Sequence, residues 1–123
     1  MLIAYWIVAG VLALAYFAAG AMKAFRSPDA LVAGGIAWAK DVSLPLVRVI
    51  GVVEVLGALG LLLPPLTGIA PVLAPLAAIG LALVQVGAVI FHVRRGEAKV
   101  LPMNLVLLLL AVAAAIVGFL VWV

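Results

Sequence analysis

Four apolar runs, each close to the length at which a helix can cross a bilayer, limit this chain to one kind of fold. They cover residues 2–22, 45–63, 71–91 and 102–122. A helix of about 20 residues spans the ~30 Å hydrocarbon layer. Hydrocarbon offers the backbone no hydrogen-bond partner, so a crossing segment is either a helix or part of a closed barrel. None of the runs alternates polar with apolar residues as barrel strands do. The expected fold is therefore all-α, one domain over residues 1–123, a four-transmembrane-helix antiparallel bundle. Composition agrees: 71% of the residues are apolar and 9% charged, where a soluble domain has about 25% charged residues. Membrane lipid must be the solvent of the outer faces.

Prolines mark where the helices can begin. Pro45, Pro71 and Pro102 lack an N–H that a first helical turn would leave unpaired in any case. Pro64-Pro65 is expected to end the second span, and Pro75 either starts the third or kinks its first turn. Lys23, Arg26 and Lys40 fall in the first loop and Arg94, Arg95 and Lys99 in the third, while the second loop has no basic residue. By the positive-inside rule both basic loops face the cytoplasm and both termini lie outside. Residues 1–22 lack the basic start and short core of a signal peptide, so they are expected to stay as the first span. Tyr5, Trp6, Trp38 and Trp122 stand at expected interface-anchor positions. In the first loop, Ser27-Pro28-Asp29 reads as N-cap, first helical proline and first-turn acid. A short interfacial helix through Leu31 or Val32 follows, broken at Gly34-Gly35, with Ile36 and Trp38 in the interface.

Glu54 is the polar residue hardest to place. It lies nine residues past Pro45, so roughly 13 Å into the membrane by helix rise. A carboxylate at that depth must point inward, toward a ligand or a polar companion on another helix. Gly51, Gly57 and Ala58 lie near it at helical spacing and would let a neighbouring helix approach closely. Gln85 and His92 share a face of the third span, seven residues apart. The second and third spans are antiparallel, so Gln85 reaches the depth of Glu54, and a Glu54–Gln85 hydrogen bond is the expected pairing. Arg48, near the start of the second span, either anchors at the interface or binds a phosphate or carboxylate. Lys23 closes the first span and Asn104 opens the fourth on the same side.

Lys23, Arg48, Glu54, Gln85, His92 and Asn104 thus gather in one half of the membrane, and the other half is almost wholly apolar. That asymmetry points to a ligand-binding pocket open toward the cytoplasmic leaflet, roofed by apolar segments such as 59–63 and 72–76. A flat, lipid-soluble molecule with polar ring oxygens, such as a quinone, suits it.

Other chemistry is excluded. With no cysteine the chain has no disulfide, thiol relay or iron–sulfur cluster. One histidine means that bis-histidine haem ligation needs two chains, and no metal site has enough ligands. The glycines form neither a phosphate loop nor a dinucleotide fingerprint. The basic residues form no track for nucleic acid. No cofactor is intrinsic to the chain. A channel would need a polar path through both halves of the membrane.

Taken in order, the pieces resemble the DoxX-like family of small four-helix integral membrane proteins. Ala19-Gly20-Ala21-Met22-Lys23 closes the first span, and Leu44-Pro45, Arg48 and Ile50-Gly51 open the second. Glu54-Val55-Leu56-Gly57-Ala58 leads into Gly60-Leu61-Leu62-Leu63-Pro64. Pro75-Leu76-Ala77-Ala78, then Gly87-Ala88, His92 and Arg94-Arg95-Gly96-Glu97, bound the third span, and Pro102-Met103-Asn104 opens the fourth. The resemblance implies a multi-pass protein of the prokaryotic cytoplasmic (inner) membrane. Some relatives are linked to thiosulfate:quinone oxidoreduction or to oxidoreductase complexes in oxidative-stress defence. It makes Lys23, Arg48, Glu54 and His92 the positions that match the family's possible functional residues. Three functions stay open: an accessory subunit that binds a quinone and works with a redox partner protein, a structural or assembly protein without catalysis, and an oligomeric small-molecule carrier. Glycine and alanine runs in spans one, two and four would permit a homodimer.

Overall fold

The structure, a computed structural model, describes residues 1–123. Its long helices are α1 (Leu2–Phe25), α3 (Leu44–Thr67), α4 (Leu73–Arg94) and α5 (Leu101–Trp122), and a six-residue α2 (Pro28–Ala33) lies in the first loop. All four long helices are long and apolar enough to cross a membrane. They form an antiparallel ring in the order α1, α3, α4, α5, with α5 returning against α1. The α1–α3 and α4–α5 pairs make the broadest contacts.

The shared interior is lined mainly by small residues. Ala9, Ala13, Ala58, Ala74, Ala78, Ala111 and Ala114 are buried there, with Leu12, Leu61 and Leu81 between them. Hydrocarbon gives packed helices little hydrophobic drive, so close van der Waals approach has to hold them. The tightest approach is between α1 and α3. A Cβ on Gly20 would sit 2.6 Å from the Gly51 carbonyl oxygen, and one on Gly51 would sit 2.6 Å from the Gly20 carbonyl oxygen and from the Ala24 nitrogen. Only 22 of 123 residues are buried, so most of the apolar surface, from Ile3 and Leu14 to Leu83 and Leu109, faces outward to lipid.

Three expectations change. Pro64-Pro65 does not end the second span: α3 runs on to Thr67 and stops at Gly68, whose φ of +73° suits glycine. Pro65 cannot donate to the Leu61 carbonyl four residues back. Tyr5 takes that place, its hydroxyl donating to the Leu61 oxygen at 2.6 Å. Of the two carbonyls that the prolines free, that of Leu61 is thus met by a donor from another helix. In the last turn Thr67 Oγ1 donates to the Leu63 oxygen at 2.8 Å.

Tyr5, second, is not an interface anchor. It is fully buried and packs edge-on against Trp6 and Trp122, with ring centroids 5.5 and 5.4 Å away. The start of α1 meets the end of α5 where the ring closes, so these aromatics fill the end of the bundle. Third, α4 begins at Leu73 and not at Pro71, while Pro75 takes the second of its two expected places, buried within the first turn, where Gly118 of α5 packs on it.

The short helix of the first loop forms at Pro28–Ala33. Ser27 caps it by accepting the Ala30 N–H at 3.2 Å. Its Leu31 is buried against Ala39 and Val47, so the loop folds over the end of the α1–α3 pair. Arg95 bonds to Asp41 at 2.8 Å, which joins the first loop to the third. The two basic loops therefore meet at one end of the bundle.

Candidate functional site

At that basic end the ring encloses a cavity of about 490 Å³. Helix α1 contributes Ala19 and Lys23, α3 contributes Leu46, Ile50 and Glu54, and α5 contributes Asn104. One wall comes from α4, with Leu83, Val84, Gln85, Gly87, Ala88, Phe91 and His92. Ile36, Trp38 and Val42 of the first loop cover it. The helical spacing explains the convergence: Ala19 and Lys23 are four apart, Ile50 and Glu54 are four apart, and Gln85, Ala88 and His92 follow at three and four.

Glu54 points inward and is 2% exposed. Its companion is Lys23, not Gln85: Lys23 Nζ lies 2.6 Å from Glu54 Oε1. The close Gly20–Gly51 crossing brings the last turn of α1 against the middle of α3, and a charged donor makes a stronger bond to a carboxylate than an amide does. Gln85 is buried, and its Oε1 has no hydrogen-bond partner within the protein. The same holds for Nδ2 of Asn104. Both residues line the cavity.

The covering side is aromatic. Trp38 stands edge-on to Phe91 at 5.7 Å and to His92 at 6.4 Å, and Lys23 Nζ lies 5.8 Å from the Trp38 ring centre. His92 Nδ1 meets Glu97 Oε1 at 3.1 Å, and Arg95 Nε donates to the same oxygen at 2.7 Å. The hydrogen bond with His92, then that from Arg95, holds the Glu97 carboxyl below its usual range. Bonding to Asp41 and then to Glu97 raises Arg95 above the usual value for arginine. A chain of polar contacts thus runs from the cavity wall at His92 to the surface.

Five of the six residues singled out from the sequence come together here: Lys23, Glu54, Gln85, His92 and Asn104. Arg48 does not line the cavity. Its Nη1 donates to the carbonyl oxygens of Lys23, at 2.8 Å, and of Arg26. Those groups end α1, where helix carbonyls lack partners and a cation is favoured. Arg48 serves as a cap for the neighbouring helix.

Sequence reasoning missed Phe91, Tyr16 and the role of Trp38. The Tyr16 hydroxyl lies near Gln85 and Glu54 and donates to the Leu81 oxygen at 3.4 Å. Its signal was its place on α1, seven residues before Lys23 and so on the same face. Trp38 reads as an anchor in sequence because nothing local shows that its loop folds back over the helix ends.

A model of the DoxX-like family matches residues 7–114. The match covers most of the sequence, and the chain belongs to the DoxX-like family. No curated protein and no solved structure matches it.

Proposed function

We propose that this protein is an accessory membrane subunit of a quinone-linked redox or oxidative-stress system, and that it binds a lipid-soluble small molecule in the cavity at the basic end. The carrying observation is the convergence of five polar side chains, Lys23, Glu54, Gln85, His92 and Asn104, on a cavity whose remaining wall is apolar and aromatic. Cavities of about 300–1,000 Å³ lined by apolar side chains, with a few placed polar groups, are the usual form of small-molecule sites. The volume of about 490 Å³ is in that range and takes a substituted ring with part of its tail.

Leu46 and Leu83 line the cavity and are also exposed on the outer surface. This supports entry of the ligand from the bilayer, between α3 and α4. Gln85 and Asn104 would meet ring oxygens, and Trp38 and Phe91 would flank the ring. A quinone supplies two-electron, two-proton chemistry when bound. The chain's residues contribute binding, exclusion of water and a polar route through His92 and Glu97. Electrons would come from a partner protein. We read the basic end as cytoplasmic and the membrane as the prokaryotic inner membrane, in accord with the placement of Lys and Arg.

The test is equilibrium binding in lipid nanodiscs. Decyl-substituted benzoquinone and naphthoquinone should quench tryptophan fluorescence saturably, and extraction of the purified protein should yield a lipid quinone. Absence of both sinks the reading.

A second reading has its own support. The Lys23–Glu54 bridge sits beside the Gly20–Gly51 crossing, as a clasp in a purely structural or assembly protein would. Glu54→Gln separates the two: lost stability with unchanged quinone binding favours the clasp.

A further inference from the structure

A second hollow runs along the α3–α4 pair, a groove of about 420 Å³ with Val53, Leu56, Gly60, Pro64, Ala77 and Gly80 in its wall. Its depth comes from missing side chains. An added Cβ would lie 2.6 Å from Leu81 at Gly57 and 2.9 Å from Ala77 at Gly60, so the two helices touch there. Gly80 has nothing within 4 Å of an added Cβ and leaves open space on the α4 side.

These contacts also fix the register of the pair. Antiparallel helices that set Gly60 against Ala77 set Val53 level with Val84, and Ile50 level with Gly87. Val53 lines the groove, while Val84, Ile50 and Gly87 line the cavity. The groove therefore starts at the depth where the cavity ends, on the same seam, and runs toward the apolar end of the bundle. From Val53 to Pro64 it follows α3 for roughly 16 Å by helix rise. Leu46, Val53 and Leu83 are exposed along the seam, so both hollows open to lipid between the same two helices.

We propose that the ligand is a long-chain amphiphile whose head occupies the cavity and whose aliphatic tail leaves between α3 and α4 and lies in this groove. This rests on the reading of the cavity as a site for a lipid-soluble molecule and names the class by its tail. A cavity of about 490 Å³, covered by Trp38 and the rest of the first loop, holds a ring and few further carbons. A longer tail has to leave it, and the exposed leucines of the seam mark the way out. The groove bears no polar or charged side chain, so it suits methylene groups and not a head group. Bulk lipid is equally apolar, so the tail gains only by packing against fixed walls.

The experiment measures binding of 1,4-benzoquinones bearing butyl, decyl and hexadecyl chains to the protein in nanodiscs, by tryptophan quenching. Dissociation constants are expressed as mole fractions of ligand in the bilayer, which removes the stronger partition of longer chains. The hexadecyl compound should bind on the order of tenfold more tightly than the butyl compound. Gly80→Leu fills the groove where its Cβ meets no other atom and should cancel that gain. Equal constants across the series in the unaltered protein place the tail in bulk lipid and overturn the inference, while leaving the ring site in place. A gain that persists undiminished in a folded Gly80→Leu protein also overturns it. So does a change of oligomeric state in that variant, which would assign the groove to a second copy of the chain. Binding of none of the three compounds removes both the inference and the reading on which it rests. The series in the unaltered protein needs no substitution, so it stands even where the variant is unstable.

Discussion

Lys23 Nζ lies 2.6 Å from Glu54 Oε1 and ties the last turn of α1 to the middle of α3. The two side chains are 14% and 3% exposed, so neither can be solvated well once the other is gone. Removing one partner of a buried pair costs about 3–5 kcal/mol, whereas an apolar replacement of both is often neutral. Glu54→Ala should therefore destabilise the bundle toward the lower end of that range, since Lys23 keeps some exposure. Lys23→Met with Glu54→Leu should recover most of the loss. Denaturant unfolding in detergent measures both, and a double variant as unstable as the single one would show that the pair is not what matters.

The crossing that brings this pair together depends on two glycines. A Cβ at Gly51 meets backbone atoms of α1 at 2.6 Å, and backbone cannot rotate out of the way. Overpacking of this kind costs about 1–3 kcal/mol. Gly51→Ala should lower the unfolding midpoint accordingly and part Lys23 from Glu54. Gly80, which is exposed and has nothing within 4 Å of an added Cβ, provides the contrast, and Gly80→Ala should hold or raise the midpoint, since alanine suits a helix better than glycine where there is room for it. If both alanines act alike, close approach at the α1–α3 crossing is not the cause.

The four spans and their order were legible because each apolar run is long and the rule against unpaired backbone in lipid leaves few choices. All six polar residues could be placed in one half of the bundle for the same reason, and five of them line the cavity. The partner of Glu54 was not legible. Helical spacing shows which face of α3 bears the acid, but Lys23 reaches it only through the Gly20–Gly51 crossing, whose position depends on two helices at once. The fate of Pro64-Pro65 was hidden in the same way, since the donor that rescues Leu61 is Tyr5, at the far end of another span.

Glu97 gives the loops a dependence on acid. His92 first, and Arg95 next, hold its carboxyl below the usual range, about 4.3 for glutamate. A lowered value in the folded state means that the contribution is fully present above the unfolded value. It is lost as pH falls through the folded one. Arg95 also holds Asp41, so protonating Glu97 loosens one side of the link between the first and third loops. Amide exchange in residues 38–43 and 95–100 should be steady, after correction for intrinsic rates, from neutral pH down to the ordinary glutamate range. Below that range it should rise. Glu97→Gln should show the faster exchange at every pH, and a variant that keeps the acid dependence would assign it to another group.

The last relation is between Tyr5, Leu61 and Pro65. Pro65 leaves the Leu61 carbonyl without its helical donor, and the Tyr5 hydroxyl bonds to it at 2.6 Å inside the bundle. Tyr5→Phe keeps the ring and its contacts with Trp6 and Trp122 but leaves that oxygen unpaired, at a cost of about 1–3 kcal/mol. Pro65→Ala restores an N–H four residues after Leu61, so the carbonyl no longer needs the tyrosine. The cost of Tyr5→Phe should therefore shrink to a few tenths of a kcal/mol when Pro65→Ala is present, roughly the level at which independent sites add. A double-mutant cycle in detergent reads this coupling directly. Equal costs in the two backgrounds would mean that the hydroxyl does not compensate for the proline, and that α3 crosses Pro64-Pro65 by packing alone.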